Sequence, residues 1–220
     1  MEGERMVVKM AKTKIMQASR QERPKAERTI DAAVKMLEAG GLVVIPTETS
    51  YGIAADATDE AAIRRVFELK ERDSAKPFPV IVGDIHAAME YLELGETAIR
   101  LSAAFHPGPL NIIVEKKPAI PDALSTTGVA FRISSNYFAN AIAGRLGRPI
   151  TATSANKSGE PPIYQPYPVR ELFGGKVEGI IDTGELLHNP ASTVVDSRVS
   201  PPLILRQGVI TQADILRALG

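Results

Sequence analysis

Short apolar or β-branched runs alternate with stretches of helical periodicity along the chain. Leu42–Ile45, Pro79–Val82, Leu110–Val114, Val129–Ile133, Ile150–Ala152, Gly179–Asp182, Thr193–Asp196 and Leu203–Leu205 have the length and composition of strands. Between Ala26 and Ala39, the residues Ile30, Ala33, Val34 and Leu37 share one helical face, and Gly40-Gly41 ends the helix. Ile63, Val66 and Phe67 repeat that spacing over Ala61–Leu69. Further helices are predicted at Ile85–Leu92, Thr97–Phe105, Asn136–Leu146 and Thr211–Leu219, the last opened by Thr211 and Asp214 in capping-box spacing. Pro161-Pro162 and Gln165-Pro166-Tyr167-Pro168 mark a long loop that could act as a lid. Interleaved strands and helices predict an α/β protein, a single domain built on a twisted mixed sheet with flanking helices.

The polar residues concentrate at the ends of these runs. After Leu42–Ile45 comes a hydroxyl-rich turn holding Thr47, Thr49, Ser50 and Tyr51, and after Ile150–Ala152 comes Thr153-Ser154-Ala155-Asn156-Lys157-Ser158-Gly159. Ligands of α/β sheets gather beyond the carboxyl ends of strands, which places Ser154 and Asn156 well. The alternative is a turn in which both side chains bond their own backbone. Lys70, Arg72 and Lys76 follow the second helix. On a continuing helix Lys70 and Arg72 point about 200° apart, so both reach one ligand only if the chain leaves the helix there. Pro77 favours that break; the alternative is a helix end stabilised by cations. Ser192, in Ala191-Ser192-Thr193, puts a further hydroxyl at a strand edge, and Arg206 beside Gly208 is placed to clamp a phosphate or to form a surface ion pair. Pro107-Gly108-Pro109 reads as a rigid turn, and His106 and His188 receive no role. Two donor-rich strand ends with a set of cations describe a site for a small, anion-bearing substrate.

Composition narrows the chemistry. The 220 residues suit one large domain that buries about 70% of its extended surface. With no cysteine and only three scattered histidines, neither a disulfide framework nor a zinc site of the usual spacing is expected. No glycine-rich phosphate loop is present, so a nucleotide must be held by side-chain cations, hydroxyls and helix ends. Ser154 lacks the elbow and the histidine of a covalent nucleophile. Lysine plus arginine balance aspartate plus glutamate at 26 each, unlike a strong nucleic-acid binder. The local basic excess near the N-terminus reads as a flexible leader over residues 1–12, with an RNA-binding arm as the alternative, ahead of a catalytic domain over 13–220. No apolar run is long enough for a membrane span, so a cytoplasmic protein is expected.

Taken in order, PTETSYG, the Lys-x-Arg of LKERDSAKP, PGPL, VAFRI, TSANKSG, ASTVVD and LRQG resemble the YrdC-type threonylcarbamoyl-AMP synthases. The matching segments run from about residue 13 to 219, and seven motifs in one order are far more specific than any one alone. The resemblance implies a YrdC-like fold with a concave, positively charged face. It also implies a nucleotidyltransferase that makes threonylcarbamoyl-AMP and pyrophosphate from L-threonine, bicarbonate or carbon dioxide, and ATP. Mg2+ would accompany ATP, and a separate transferase would use the product to modify the tRNA adenosine next to the anticodon. Weak tRNA contact is compatible with this. By resemblance, Lys70 and Arg72 carry catalysis; Lys70, Arg72, Ser154, Asn156 and Arg206 hold ATP; Thr47, Tyr51 and Ser192 line the threonine pocket; no residue holds a metal. Three positions depart from the family pattern. Relatives often carry a histidine after the Lys-x-Arg segment, where residues 79–82 have none and Ile81 stands; a Thr or Ser where Gly128 stands; and a tryptophan where His106 stands. The competing readings are a carbamoyl-adenylate-forming enzyme and a double-stranded RNA or tRNA-binding module without catalysis.

Overall fold

The computed structural model describes residues 12–220. The expected leader lies outside the described residues except for Lys12. The chain opens with β1 (Lys14–Gln17), α1 (Arg23–Glu38), β2 (Val43–Pro46), β3 (Tyr51–Ala54), α2 (Glu60–Lys70) and β4 (Val80–Ile81). It continues through α3 (Ile85–Tyr91), β5 (Leu92–Glu93), α4 (Glu96–Phe105), β6 (Leu110–Lys116), β7 (Gly128–Arg132) and α5 (Tyr137–Leu146). It ends with β8 (Ile150–Thr151), β9 (Thr153–Ser154), α6 (Pro166–Phe173), β10 (Gly179–Asp182), β11 (Thr193–Asp196), β12 (Leu203–Arg206) and α7 (Gln212–Leu219).

The α/β class is as expected, but the strands form two twisted mixed sheets instead of one. A five-stranded sheet has the order β1-β10-β2-β3-β9, and a seven-stranded sheet has the order β12-β11-β6-β7-β4-β8 with β5 on β6. The chain steps from one sheet to the other at Ala152, between β8 and β9. α1 and α5 pack on the first sheet, where Ile30, Val34 and Leu37 meet Val43, Ile45, Ile142 and Ile181. The larger core, with Val66, Ile112, Phe131, Phe173 and Val195 among its members, fills the space behind the second sheet.

Local chemistry explains the helix ends. Asp59 caps α2 by accepting from Ala61 N (2.9 Å) and Ala62 N (3.2 Å). The capping box of α7 forms as predicted, with Thr211 N donating to Asp214 Oδ2 at 3.0 Å and Asp214 N to Thr211 Oγ1 at 3.2 Å. The long loop is shorter than predicted, because α6 begins at Pro166; proline is pre-organised for a first helical position, and Val169 and Phe173 give the helix an apolar face. Tyr51 belongs to β3, not to the preceding turn. Among the described residues no helix is long and apolar enough to cross a membrane.

Candidate functional site

A cavity of about 390 Å³ opens where the two sheets meet. Its floor is the outer face of the seven-stranded sheet. Strand alternation sends Leu110, Ile112, Val129, Phe131 and Val195 into the core, and Asn111, Ile113, Gly128, Ala130, Arg132 and Val194 to the cavity. The β2–β3 turn closes one side. There Thr47 Oγ1 donates to Ser50 O (2.7 Å) and accepts from Thr49 N and Ser50 N (3.2 Å each), so its hydroxyl builds the turn that presents Thr49 and Ser50. Over the mouth, Pro162, Tyr164 and Asn189 come together, with Tyr164 stacked on His188 at 3.9 Å between ring centroids.

Of the predicted cations, Arg72 and Arg206 line this cavity, and Lys70 stands behind it. α2 buries Ile63, Val66, Phe67 and Lys70 on one face, so Lys70 continues an apolar stripe inward and is 1% exposed. Glu71 then takes the left-handed conformation (φ 51°, ψ 42°), ending the helix where the Lys70–Arg72 geometry requires it. Lys70 Nζ donates to Ser154 O (2.5 Å), Asn156 O (2.6 Å) and Asn156 Oδ1 (3.1 Å). Burial, and secondarily the Arg72 charge, pulls its pKa down to about 8. Arg72 lines the cavity, its Nε donating to Lys76 O (2.8 Å) and its guanidinium 5.0 Å from the Phe78 ring centroid. Arg206 also lines it, donating from Nε (3.1 Å) and Nη2 (2.9 Å) to the Ser192 carbonyl. Burial lowers the pKa of both arginines, and Arg132 adds to the effect on Arg206.

Thr47, Arg72, Ser154, Ser192 and Arg206 therefore line one cavity. Lys70, Asn156 and Tyr51 do not line it. Lys70 and Asn156 stand behind it and hold the turn that carries Ser154, whose Oγ donates to Asn156 Oδ1 at 2.5 Å. Tyr51 differs from the expectation that it lines the threonine pocket. Its side chain is buried, with the hydroxyl donating to Gly184 O (2.7 Å) and accepting from Thr183 N (3.2 Å). Desolvation raises its pKa.

The sequence reading assigned no role to the most deeply buried charge of the floor. Arg132 Nε lies 2.7 Å from Glu48 Oε1, with the two side chains 4% and 10% exposed, and Arg132 Nη1 donates to Asn111 Oδ1 at 3.2 Å. Ser134 Oγ donates to Glu48 Oε2. The available signal was an arginine inside the apolar run Val129–Ile133, since a buried arginine requires a partner. His106 is structural: the Leu110 carbonyl can only accept, so Nε2–H donates to it (2.8 Å) and Nδ1 accepts from Ser102 Oγ (2.9 Å).

Among the described residues, Lys70, Arg72 and Arg206 have no carboxylate within 4.0 Å, whereas most buried or half-buried arginines elsewhere are paired. No group of three His, Cys, Asp or Glu that could cage a metal stands among those residues. Fold and site together define an α/β protein with an inter-sheet cleft lined by hydroxyls and arginines. The chain belongs to the Sua5/YciO/YrdC family, whose model, described as telomere recombination, matches residues 35–208.

Its relatives agree with that assignment. It is 36% identical over 198 residues to the threonylcarbamoyl-AMP synthase of Pyrococcus abyssi, covering 88% of this chain but only 58% of that protein. A Methanocaldococcus jannaschii relative is 32% identical over 198 residues, 90% of this chain and 92% of its own. The crystal structure of P. abyssi Sua5 complexed with L-threonine superimposes with a TM-score of 0.86 at 36% identity, over 94% of this chain and 61% of that one.

Proposed function

We propose that this protein joins L-threonine, bicarbonate (or carbon dioxide) and ATP into threonylcarbamoyl-AMP, releasing pyrophosphate. The observation that carries the reading is a pair of cations, Arg72 and Arg206, lining one cavity with Lys70 buried behind its wall, none of the three with a carboxylate within 4.0 Å among the described residues. Such an arrangement stabilises a polyanion such as a triphosphate. The relatives' printed name and the L-threonine complex of the P. abyssi protein support the choice of substrates.

In this reading the threonine amine and bicarbonate form a carbamate and water. A carbamate oxygen then attacks the α-phosphorus of ATP, and the bond to the β-phosphate breaks to release pyrophosphate. No protein nucleophile takes part, so the protein's work is positioning and charge neutralisation. Arg72 and Arg206 face the phosphates directly. Lys70 adds its charge from behind and fixes the Ser154–Asn156 turn, which holds the nucleotide near the reacting phosphate. Magnesium enters with ATP, held by phosphate oxygens and water. Arg132, oriented by Glu48 and Asn111, receives the amino-acid carboxylate, and the Thr47 turn and Ser192 frame the threonine side chain. Tyr51 supports that turn from outside the cavity. The product passes to a separate transferase that modifies the tRNA adenosine next to the anticodon.

The test is product analysis after incubation with Mg·ATP, L-threonine and 13C-bicarbonate. Label in an adenylate of threonylcarbamoyl mass, formed one-for-one with pyrophosphate, supports the reading; a labelled adenylate lacking threonine, or none at all, removes it.

A further inference from the structure

A segment that the proposed chemistry does not use runs over the mouth of the cavity. Between Gly184 and Ser192 the chain crosses from β10 to β11, and every residue from Glu185 to Ala191 except Leu186 is exposed. Both ends of the segment are fixed. Tyr51, which does not line the cavity, holds the first: its hydroxyl donates to Gly184 O (2.7 Å) and accepts from Thr183 N (3.2 Å). Gly184 has φ +83°, a left-handed conformation that glycine adopts without strain and that turns the chain out of β10. At the second end Ser192 is buried, and Thr193 N donates to Pro109 O at 3.1 Å.

Between those ends the segment is held unequally. On one side Leu186 N donates to Tyr164 O (2.9 Å), Gln165 Nε2 donates to Glu185 Oε1 (3.2 Å), and His188 stacks on Tyr164. That side is itself tied to β3, since Tyr51 N donates to Ile163 O at 3.0 Å. On the other side, among the described residues, one hydrogen bond joins the segment to the β2–β3 turn, from Asn189 Nδ2 to Glu48 O at 2.8 Å. A single neutral hydrogen bond at an exposed site is a weak tie, so this side opens first. Asn189 lines the cavity, and the residue it bonds, Glu48, carries the carboxylate paired with Arg132.

We propose that residues 185–191 form a flap over the amino-acid end of the cavity, hinged on Tyr51 and Tyr164, and that Asn189 is its latch, a positioning residue that shuts the mouth once L-threonine is inside. The inference rests on the threonine-dependent function proposed above. Closure serves that chemistry. A carbamate protonated on nitrogen breaks its N–C bond to give the amine and carbon dioxide, and the mixed anhydride with AMP is open to hydrolysis. A shut mouth keeps bulk water from both. Latching to Glu48 ties closure to the residue that orients Arg132, so the flap shuts where the amino-acid carboxylate binds.

The experiment compares the wild type with Asn189→Ala and with Asn189→Asp, which keeps the side chain's size but puts an oxygen where the N–H donor was. The chain has no cysteine, so a nitroxide on Leu187→Cys, a position 78% exposed, reports on the flap alone. Saturating L-threonine should slow the label's motion in the otherwise wild-type protein and leave it fast in both Asn189 variants. The KM for threonine should rise about two- to tenfold in both variants, the scale of one neutral hydrogen bond, with the KM for ATP and the melting temperature unchanged. Threonine binding that leaves the label's motion unaltered, Asn189→Asp behaving as the wild type, or equal rises in both KM values overturns the latch and leaves the proposed function intact. Failure of the wild type to bind threonine overturns both.

Discussion

The ammonium of Lys70 bonds Asn156 twice, at its carbonyl oxygen (2.6 Å) and at its side-chain oxygen (3.1 Å). The end of α2 and the turn after β9 are thereby one unit, built from segments more than eighty residues apart. Lys70→Ala leaves two buried carbonyls unpaired and should cost about 1–3 kcal/mol of stability. Its effect on turnover and that of Asn156→Ala should be strongly non-additive, the double variant resembling the worse single one. A double-mutant cycle on pyrophosphate release and on urea denaturation checks this.

The lowered pKa of Lys70, about 8, gives a signed pH dependence. Above pH 8 the folded state releases this proton while the unfolded chain holds it to about 10.4. The unfolded state then binds more protons, so this residue's contribution to stability rises with pH through that window. Its charge at the cavity is lost over the same range, so activity should fall as stability rises. The difference between wild type and Lys70→Ala in urea melts from pH 7 to 10 isolates the effect; a difference that does not change with pH contradicts it.

Glu48 and Arg132 form a buried pair, and removing one partner strands the other. Glu48→Ala should cost about 3–5 kcal/mol, with Glu48→Gln milder because it keeps a hydrogen-bond acceptor. In Glu48→Gln the KM for threonine should rise more than that for ATP. Equal changes in both would place Arg132 outside the amino-acid pocket.

Backbone contact makes Gly208 a second sensitive point. A Cβ there would lie 1.9 Å from Ala191 O and 2.7 Å from Thr193 N, both backbone atoms that cannot rotate away. Gly208→Ala should destabilise by about 3 kcal/mol or more and displace Ser192, whose carbonyl holds Arg206. Gly95→Ala, where nothing lies within 4 Å of the added Cβ, is the control and should be close to neutral. Thermal melts of the two variants check this.

Periodicity made most of the fold legible, because the buried runs at 110–114, 129–133 and 193–196 and the amphipathic helices carry their own signals. It did not reveal β1, β3, β5 or β9. β5 and β9 are two-residue strands that exist through their partners, and β3 hides inside a segment that reads as a turn. The chain passes between the two sheets several times, once within the single residue Ala152, which no local pattern marks. For the candidate site, hydroxyls and cations at strand ends were visible, but their depth was not. Tyr51 and Asn156 look the same in sequence as Thr49 and Ser154, yet strand alternation and the Lys70 bonds turn them away from the cavity. Arg132 was passed over because its partner, Glu48, lies in a distant turn. Gly128 stood out as a departure from the family pattern, but the guanidinium beside it, that of Arg198, comes from the distant turn after β11.

Pyrophosphate release from Mg·ATP and bicarbonate, with L-threonine, with serine and with no amino acid, tests the central claim most directly when run on wild type and Arg206→Ala. The account predicts release that requires threonine, is much weaker with serine, and falls at least a hundredfold in the variant. Release without any amino acid, or release untouched by loss of Arg206, would contradict it.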